Sequence, residues 1–269
     1  MTDLFFELLR VSIGQANCLS HIPSQGEWKA LYDMAKKQSL IGVCFVGLQR
    51  LGADANGDFA KIGMNEMLYL TWMGMAAKIQ QRNDVVKLQC SELQQKFASM
   101  GIATRILKGQ GTATLYKSVS LDLPRLRQSG DIDLWVIAPE ENVIEIAEDV
   151  GCTKPAGYLH VGARYFEDTE VELHYRPTYI RSLRHNRRLQ KFCDDQKTHY
   201  EIRDGLTVPA WDFDIVYQLS HIFRHLFGNG VGLENFADSV RWQLQKVSAE
   251  KEKLSADTLR LLGGVRLWQ

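Results

Sequence analysis

The segment Ser129-Gly130-Asp131-Ile132-Asp133-Leu134-Trp135-Val136 places two acidic residues inside a strongly apolar run. Its apolar side chains predict a buried β-strand. Because successive side chains alternate between the two faces of a strand, Asp131 and Asp133 point to the same side, about 7 Å apart along the strand. Two carboxylates held this way on a rigid sheet repel each other, and a hard divalent cation such as Mg²⁺ would compensate them. For this pair alone, acids that simply face water are the more common arrangement.

The bulk composition is ordinary for a soluble globular protein, with 45% hydrophobic and 24% charged residues among 269. Lys+Arg and Asp+Glu both number 32, so the total charge does not indicate an extended nucleic-acid surface. The five widely spaced cysteines favour reduced thiols in a cytoplasm. The N-terminus lacks the features of a signal peptide, and the most apolar segment, residues 67–77, is too short and interrupted to span a membrane. We therefore expect a cytoplasmic protein with no membrane partner.

Hydrophobic periodicity divides the chain into three regions. Residues 1–100 carry apolar side chains at every third or fourth position, which predicts helices packed into a core. Residues 101–209 change to alternating strand and helix patterns and predict an α/β core, with a hairpin turn at Asp204-Gly205. Residues 210–269 are helical again around a glycine-rich break. We predict an α+β fold in which a mixed β-sheet with flanking helices lies between N-terminal and C-terminal helical regions.

A turn with two glycines precedes the acidic strand. Residues 102–107 predict a strand that ends in Lys108-Gly109-Gln110-Gly111-Thr112, and a short helix follows. A strand, a glycine-bearing turn and a helix in this order direct backbone N–H groups at an anion, and Lys108 could reach a phosphate. The spacing is not that of a Walker motif, so a plain turn with a solvated lysine is the alternative.

A later strand carries ionisable side chains on one face. Residues 169–176 alternate cleanly, which places four ionisable side chains together: Glu170, Glu172, His174 and Arg176. This face is either a solvent-facing sheet edge or the floor of a site, and proximity to the acidic strand would favour the second. Two further groups are weaker candidates. The basic segment 181–188 predicts an exposed helix face or a binding surface for an anionic acceptor, and His221 and His225 have a spacing that can bind zinc or pack in the core.

Three of these segments together resemble one family. They are Leu107-Lys108-Gly109, then Arg127 with Gly130-Asp131-Ile132-Asp133-Leu134, then Glu172-Leu173-His174-Tyr175. In this order they are similar to the motifs of the uncharacterised nucleotidyltransferases, which belong to the superfamily with the polymerase-β-like fold. The resemblance covers about residues 100–245 and implies a nucleotidyltransferase-like mixed sheet.

The resemblance also implies roles for individual residues. It makes Asp131, Asp133 and Glu172 the catalytic carboxylates, which hold one or two Mg²⁺ ions, with Glu170 as the alternative third acid. It gives a nucleoside triphosphate such as ATP these contacts: Lys108, Gly109, Gly111, Thr112, Arg127, Gly130 and His174. A hydroxyl of an unknown small-molecule or protein acceptor then attacks the α-phosphorus, assisted by a second ion or by Glu172 as base, and pyrophosphate leaves. The superfamily's usual serine after the turn glycine is absent here, and Thr112 is the candidate substitute.

The sequence leaves three functions open. The first is Mg²⁺-dependent transfer of a nucleoside monophosphate to a hydroxyl acceptor. The second is a nucleotidyltransferase fold without chemistry that acts as a binding or antitoxin-like regulatory protein, which the missing serine favours and the three acids disfavour. The third is a zinc hydrolase built on His221 and His225, although their helix lacks the glutamate of a metalloprotease motif.

Overall fold

A computed structural model describes residues 1–54, 58–113 and 123–226 of the chain. The described residues fall into two units. The first contains residues 1–54, 58–85 and 123–129, and the second contains residues 86–113 and 130–226. The predicted division at residues 100 and 209 stays a prediction.

The first unit is helical, as the periodicity of its apolar residues predicts. Its elements are α1 (Thr2–Ser12), α2 (Gln25–Lys37), α3 (Ile41–Asp54), a 3₁₀ helix (Phe59–Ile62), the first part of α4 (Glu66–Ser99) and α6 (Leu123–Leu126). Helix α2 begins with a capping box, in which Ser24 and Glu27 satisfy each other's backbone N–H groups. Trp28 and Trp72 are fully buried, and each indole N–H donates to a backbone carbonyl 2.9 Å away. These two tryptophans therefore belong to the core of the first unit.

The second unit combines strands and helices. After the C-terminal part of α4 it contains β1 (Thr104–Ile106), α5 (Gln110–Ala113), β2 (Ile132–Val136), α7 (Glu140–Val150), β3 (Cys152–Lys154), β4 (His160–Ala163), β5 (Val171–His174), α8 (Leu183–Asp195), β6 (Tyr200–Arg203), β7 (Leu206–Pro209) and α9 (Trp211–Leu226). Five strands form one sheet in the order β1-β2-β5-β4-β3, and β6 and β7 form a separate hairpin. The hairpin turns at Asp204 and Gly205, which both have positive φ, as predicted.

The five-stranded sheet is mixed. Strand β2 is parallel to β5, whereas β1–β2, β4–β5 and β3–β4 are antiparallel pairs. The mixed sheet and its flanking helices confirm the predicted α+β fold class. Residues 227–269, where further C-terminal helices are predicted, lie outside the described part of the chain.

The two faces of the sheet are chemically different. One face is apolar and packs against α4 and α7, with Leu134, Leu173 and Val161 fully buried among residues of these helices. On the other face, Trp135 packs against Leu107 and the apolar sides of α8 and α9. Asp133 and Glu172 also belong to this second face, because side chains alternate along each strand. Asp133 and Glu172 therefore lie on the face of the sheet on which Trp135 packs against α8 and α9.

No helix in the three described ranges is both long and apolar enough to cross a membrane.

Gln94 on α4 binds the backbone of β7 through both ends of its amide. Its Nε2 donates to the carbonyl of Thr207 at 2.7 Å, and its Oε1 accepts from the Thr207 N–H at 2.9 Å. We expect Gln94→Ala to lower the free energy of unfolding by about 1–3 kcal/mol, because it leaves a partly buried backbone pair unsatisfied. Gln95→Ala on the same helix is the matched control, since Gln95 is exposed. Urea unfolding followed by tryptophan fluorescence measures both, and equal effects would contradict this role for Gln94.

Candidate functional site

The parallel pairing of β2 with β5 brings three acidic side chains together. In the register of the two strands Asp133 lies opposite Glu172, and Asp131 directly precedes β2, two residues before Asp133. One carboxylate oxygen from each residue lies within 4.8 Å of the others. The three acids singled out from the sequence are thus neighbours in the folded chain. Such a group of oxygen donors could hold a divalent metal ion.

The three carboxylates differ in exposure. The side chain of Asp133 is 3% exposed, that of Glu172 12% and that of Asp131 35%. The group therefore extends from a buried end at Asp133 to a solvent-accessible end at Asp131. Glu170, the alternative third acid, is 43% exposed and binds Lys154 instead, with its Oε1 2.5 Å from Lys154 Nζ. The geometry favours Glu172 over Glu170 as the partner of the two aspartates.

Lys108 supplies positive charge to both aspartates. The residue directly follows Leu107, whose N–H donates to the Asp133 carbonyl at 3.0 Å, so the end of β1 is fixed beside β2. Lys108 Nζ lies 3.1 Å from Asp133 Oδ2 and 3.4 Å from Asp131 Oδ2. Burial lowers the pKa of Lys108, but the neighbouring carboxylates of Asp133 and Asp131 outweigh it and raise the pKa above its ordinary value. Lys108 is therefore a charged counter-ion of the aspartate pair.

The turn after Lys108 depends on its glycines. Gly109 has a φ of +60°, a conformation that residues with a side chain rarely adopt. A Cβ atom on Gly111 would lie only 2.6 Å from the carbonyl oxygen of Ile106, so a side chain there would collide with β1. Thr112 is fully buried, and its hydroxyl donates to the carbonyl of Gly109 at 3.2 Å. The hydroxyl of Thr112 thus closes the turn.

His174 joins the acids of the two strands. Its Nε2 lies 3.1 Å from Asp133 Oδ1 and 3.6 Å from Glu172 Oε2, and its Nδ1 lies 3.3 Å from the carbonyl oxygen of Arg176. Burial lowers the pKa of His174, but its hydrogen bonds and charge interactions with Asp133 and Glu172 raise the pKa above the ordinary value. The imidazole therefore binds Asp133 through Nε2 and the Arg176 carbonyl through Nδ1, and it lies close to Glu172.

The pKa directions follow from these partners. Burial raises the pKa of Asp133, but Lys108 and His174 have the larger combined effect and hold it well below its usual range. Burial acts in the same way on Glu172, where His174 and other partners lower the pKa to about 2. For Asp131, burial and the charge of Asp133 raise the pKa, and Lys108 offsets only part of the shift. Asp131 therefore takes up a proton first as the pH falls.

Two basic residues at this site were not singled out by the sequence. His160 on β4 lies opposite His174 in the strand register, and its Nε2 is 3.5 Å from Glu172 Oε1. Lys154 on β3 places its Nζ 3.1 Å from the same oxygen. Burial and the charge of His174 lower the pKa of His160. The strands β3 and β4 have only three and four residues, too few for a clear alternating pattern.

The remaining candidate residues have other surroundings. Arg127 belongs to the first unit, where its guanidinium contacts Ser129 Oγ at 3.1 Å and the Gln128 carbonyl at 3.3 Å. Gly130 precedes Asp131 and has open space where a Cβ would stand. His221 is buried near Arg224, with 3.3 Å between Nδ1 and Nη2. The side chain of His225 lies outside the described part, so the zinc pair stays a prediction.

Comparisons with known proteins give one match to a family and one to a solved structure. A family model described as uncharacterised nucleotidyltransferase matches residues 24–260, a wider range than the residues 100–245 that carry the recognisable motifs. Among solved structures, the chain is similar to an antigenic nucleotidyltransferase-like protein from Paracoccidioides brasiliensis. That match has 17% identity and a TM-score of 0.39 and covers 67% of this chain and 87% of the other. No curated protein matches the chain.

The contacts of Asp133 with Lys108 and His174 lead to a stability prediction. Asp133→Asn removes the negative charge that Lys108 Nζ and His174 Nε2 approach to 3.1 Å, so we expect the free energy of unfolding to fall by about 3 kcal/mol or more. Asp131→Asn should leave the free energy of unfolding unchanged or slightly higher, because burial and the charge of Asp133 raise the pKa of Asp131 and so disfavour its ionised form in the fold. Urea unfolding of the two variants measures the difference. A stabilised Asp133→Asn variant would show instead that repulsion between the carboxylates dominates.

Proposed function

The chain belongs to the family of uncharacterised nucleotidyltransferases, and from this premise we propose that it transfers a nucleoside monophosphate from a nucleoside triphosphate to a hydroxyl acceptor, with Mg²⁺ as its cofactor. The observation that carries the proposal is the group of Asp131, Asp133 and Glu172, with one oxygen of each within 4.8 Å of the others. Hard divalent cations prefer oxygen ligands of this kind. The acceptor is a small molecule or a protein hydroxyl.

The donor set fits Mg²⁺ in charge, ligand type and access. All three donors are carboxylate oxygens, and the one-third exposed side chain of Asp131 leaves the group open to solvent on one side. Mg²⁺ keeps several water ligands and is bound by a few carboxylates together with substrate phosphates, so an open side is required. The ion, when bound, neutralises charge on the phosphoryl oxygens and lowers the pKa of the attacking hydroxyl.

Lys108 has the central part in nucleotide binding. Its ammonium lies between Asp131 and Asp133, and a divalent ion bound to the same acids would repel it. We expect Lys108 to turn from the acids to the triphosphate, where it binds phosphate oxygens as a point charge. The turn from Gly109 to Thr112 is proposed to approach the same phosphates, although the N–H of Gly111 is donated to the Lys108 carbonyl at 3.1 Å. Gly130 is a further proposed nucleotide contact.

The low pKa of Glu172 favours a ligand role over a base role. A general base works best when its pKa is near the operating pH, and a carboxyl group with a pKa of about 2 holds protons poorly at neutral pH. The same low pKa keeps Glu172 ionised, as a metal ligand must be. Glu172 would therefore hold the ion as a ligand, and the proton of an acceptor hydroxyl made more acidic by that ion would pass to solvent. His174 holds Asp133 and Glu172 in position from its buried place and is proposed to act through them.

One observation favours the alternative function. Lys108 and His174 already compensate Asp133 through contacts of 3.1 Å each, so the acids are stabilised by the protein's own cations. A chain that had lost its chemistry and served as a binding or regulatory protein could keep the acids for this structural reason. The absence of the superfamily's Gly-Ser serine, where this chain has Lys108-Gly109, agrees with that reading. Metal binding and transfer assays separate the two functions.

Glu172 on β5 and Glu170, which directly precedes β5, provide a matched test of transfer. Glu172→Gln should reduce transfer at least about 100-fold, a larger loss than that typical of residues outside the metal's own ligands. Glu170→Gln should keep most activity, because Glu170 lies outside the carboxylate group. The assay incubates the protein with Mg²⁺, cell lysate and triphosphates labelled at the α-phosphate or the γ-phosphate, and the α-label alone should reach an acceptor.

The same assay can exclude the proposed reaction. If wild-type protein transfers no label, and calorimetry with a non-hydrolysable triphosphate detects no Mg²⁺-dependent binding, the proposed transfer is excluded and the binding or regulatory alternative is favoured. Equal activity of the Glu170→Gln and Glu172→Gln variants would exclude the assigned third acid.

Lys108→Met tests the two proposed contacts of Lys108 separately, the contact with the aspartates and the contact with the triphosphate. Lys108→Met removes the ammonium that competes with a divalent ion, so we expect Mg²⁺ to bind more tightly in the absence of nucleotide, by about 10-fold. The variant should bind triphosphate more weakly and transfer more slowly, because a phosphate contact is lost. Mg²⁺ and nucleotide titrations by calorimetry measure both effects, with thermal melting as the folding control. Unchanged Mg²⁺ affinity in a folded variant would contradict the proposal that Lys108 and Mg²⁺ compete for the two aspartates.

A further inference from the structure

A second group of potential metal ligands lies beside the carboxylates and contains nitrogen. It consists of His160 on β4 and of Glu172 and His174 on β5, and one ligand atom of each lies within 4.8 Å of the others. The antiparallel register pairs His160 with His174 and Gly162 with Glu172, so the three side chains share one face of the sheet. Short, hydrogen-bonded strands therefore hold all three ligands, and no loop is involved.

The distances fit direct coordination by one ion. His160 Nε2 lies 3.5 Å from Glu172 Oε1, and His174 Nε2 lies 3.6 Å from Glu172 Oε2. Ligand atoms about 2.1 Å from a tetrahedral ion are separated by about 3.4 Å. The two measured distances involve different oxygens of Glu172, so one ion would bind both oxygens of the carboxylate, or one oxygen after rotation of the carboxylate. The two imidazole rings have centroids 4.7 Å apart and are inclined by 51°, so they approach the glutamate from different directions.

The orientation of His174 also suits a ligand. Its Nδ1 faces the backbone carbonyl of Arg176 at 3.3 Å, which leaves Nε2 to face the carboxylates. Metal-binding histidines commonly donate their second ring N–H to a backbone carbonyl in this manner. Nε2 of the same ring also lies 3.1 Å from Asp133 Oδ1, so an ion at this place would have a second carboxylate within reach.

The chemistry of the donors selects the metal. Two imidazole nitrogens and one carboxylate suit borderline transition metals, whereas Mg²⁺ prefers oxygen ligands alone. We propose that His160, Glu172 and His174 form a binding site for a borderline divalent transition metal, of which Zn²⁺ fits best. The site shares Glu172 with the proposed Mg²⁺ position but does not depend on the transfer reaction. Three protein ligands leave a fourth coordination position for water or a substrate atom.

Lys154 is a competitor for the shared glutamate. Its Nζ lies 3.1 Å from Glu172 Oε1 and 2.5 Å from Glu170 Oε1, and its side chain is 47% exposed. Binding of an ion would require Lys154 to give up Glu172, and Glu170 offers the ammonium a second partner. Removal of Lys154 should therefore strengthen metal binding, which is the opposite of what removal of a ligand does.

The test measures Zn²⁺ binding to the tag-free full chain by calorimetry, with no nucleotide present. We expect about one Zn²⁺ per chain, at least about 10-fold weaker binding in His160→Ala and His160→Gln, and tighter binding in Lys154→Met. His185→Ala is the matched control, since His185 is exposed on α8 outside the group, and its affinity should equal that of wild type. X-ray absorption of the zinc complex should show two imidazole ligands.

Exposed thiols also bind zinc, so the measurement is repeated with Cys18→Ser and Cys152→Ser combined. Retained binding in that variant supports the site, and sulfur among the zinc ligands overturns it. Folded His160 variants that bind Zn²⁺ as wild type does overturn it as well. His160 lies outside the carboxylate group, so absent zinc binding with intact Mg²⁺-dependent transfer refutes only this site. Zinc binding that His160→Ala weakens, without any transfer, refutes only the proposed function.

Discussion

The parallel pairing of β2 with β5 is the constraint on which the site depends. It sets Asp133 directly opposite Glu172, in a part of the sheet where both side chains are largely removed from water. Burial of two like charges is costly unless cations and hydrogen bonds compensate them. Lys108 at the end of β1 and His174 two residues after Glu172 provide that compensation. Lys108 and His174 therefore offset the cost of burying Asp133 and Glu172 side by side.

Local patterns predicted the faces of the strands but not their neighbours. The alternation around Asp131 and Asp133, and again around Glu172, indicates from sequence alone which side chains share a face. The adjacency of β2 and β5 could not be derived this way, because a parallel pair joins segments about forty residues apart and only the family resemblance connected them. His160 and Lys154 lie on strands of four and three residues, too short for a readable period. The position of Lys108 between both aspartates depends on the same non-local packing.

Lysine side chains of the protein already compensate the negative charge of the carboxylates at the site. Lys108 contacts the oxygens of the two aspartates, and Lys154 contacts the oxygen of Glu172 that also faces His160. Each of the two candidate cation positions thus has a lysine ammonium next to it. Any incoming ion must displace positive charge as well as attract negative charge, and its affinity depends on where the displaced ammonium goes. For Lys154 the alternative partner is Glu170, and for Lys108 it is the proposed nucleotide.

The hydrogen bond from the Leu107 N–H to the Asp133 carbonyl affects how fast an incoming ion can replace the Lys108 ammonium. It fixes the backbone one residue before Lys108, so the start of that side chain cannot drift from the acidic strand. The ammonium can still leave by rotation about its own side-chain bonds, since the side chain is one-quarter exposed. Side-chain rotations are far faster than rearrangements of paired strands. Positive charge can therefore be exchanged at Asp131 and Asp133 while the sheet that carries them stays intact.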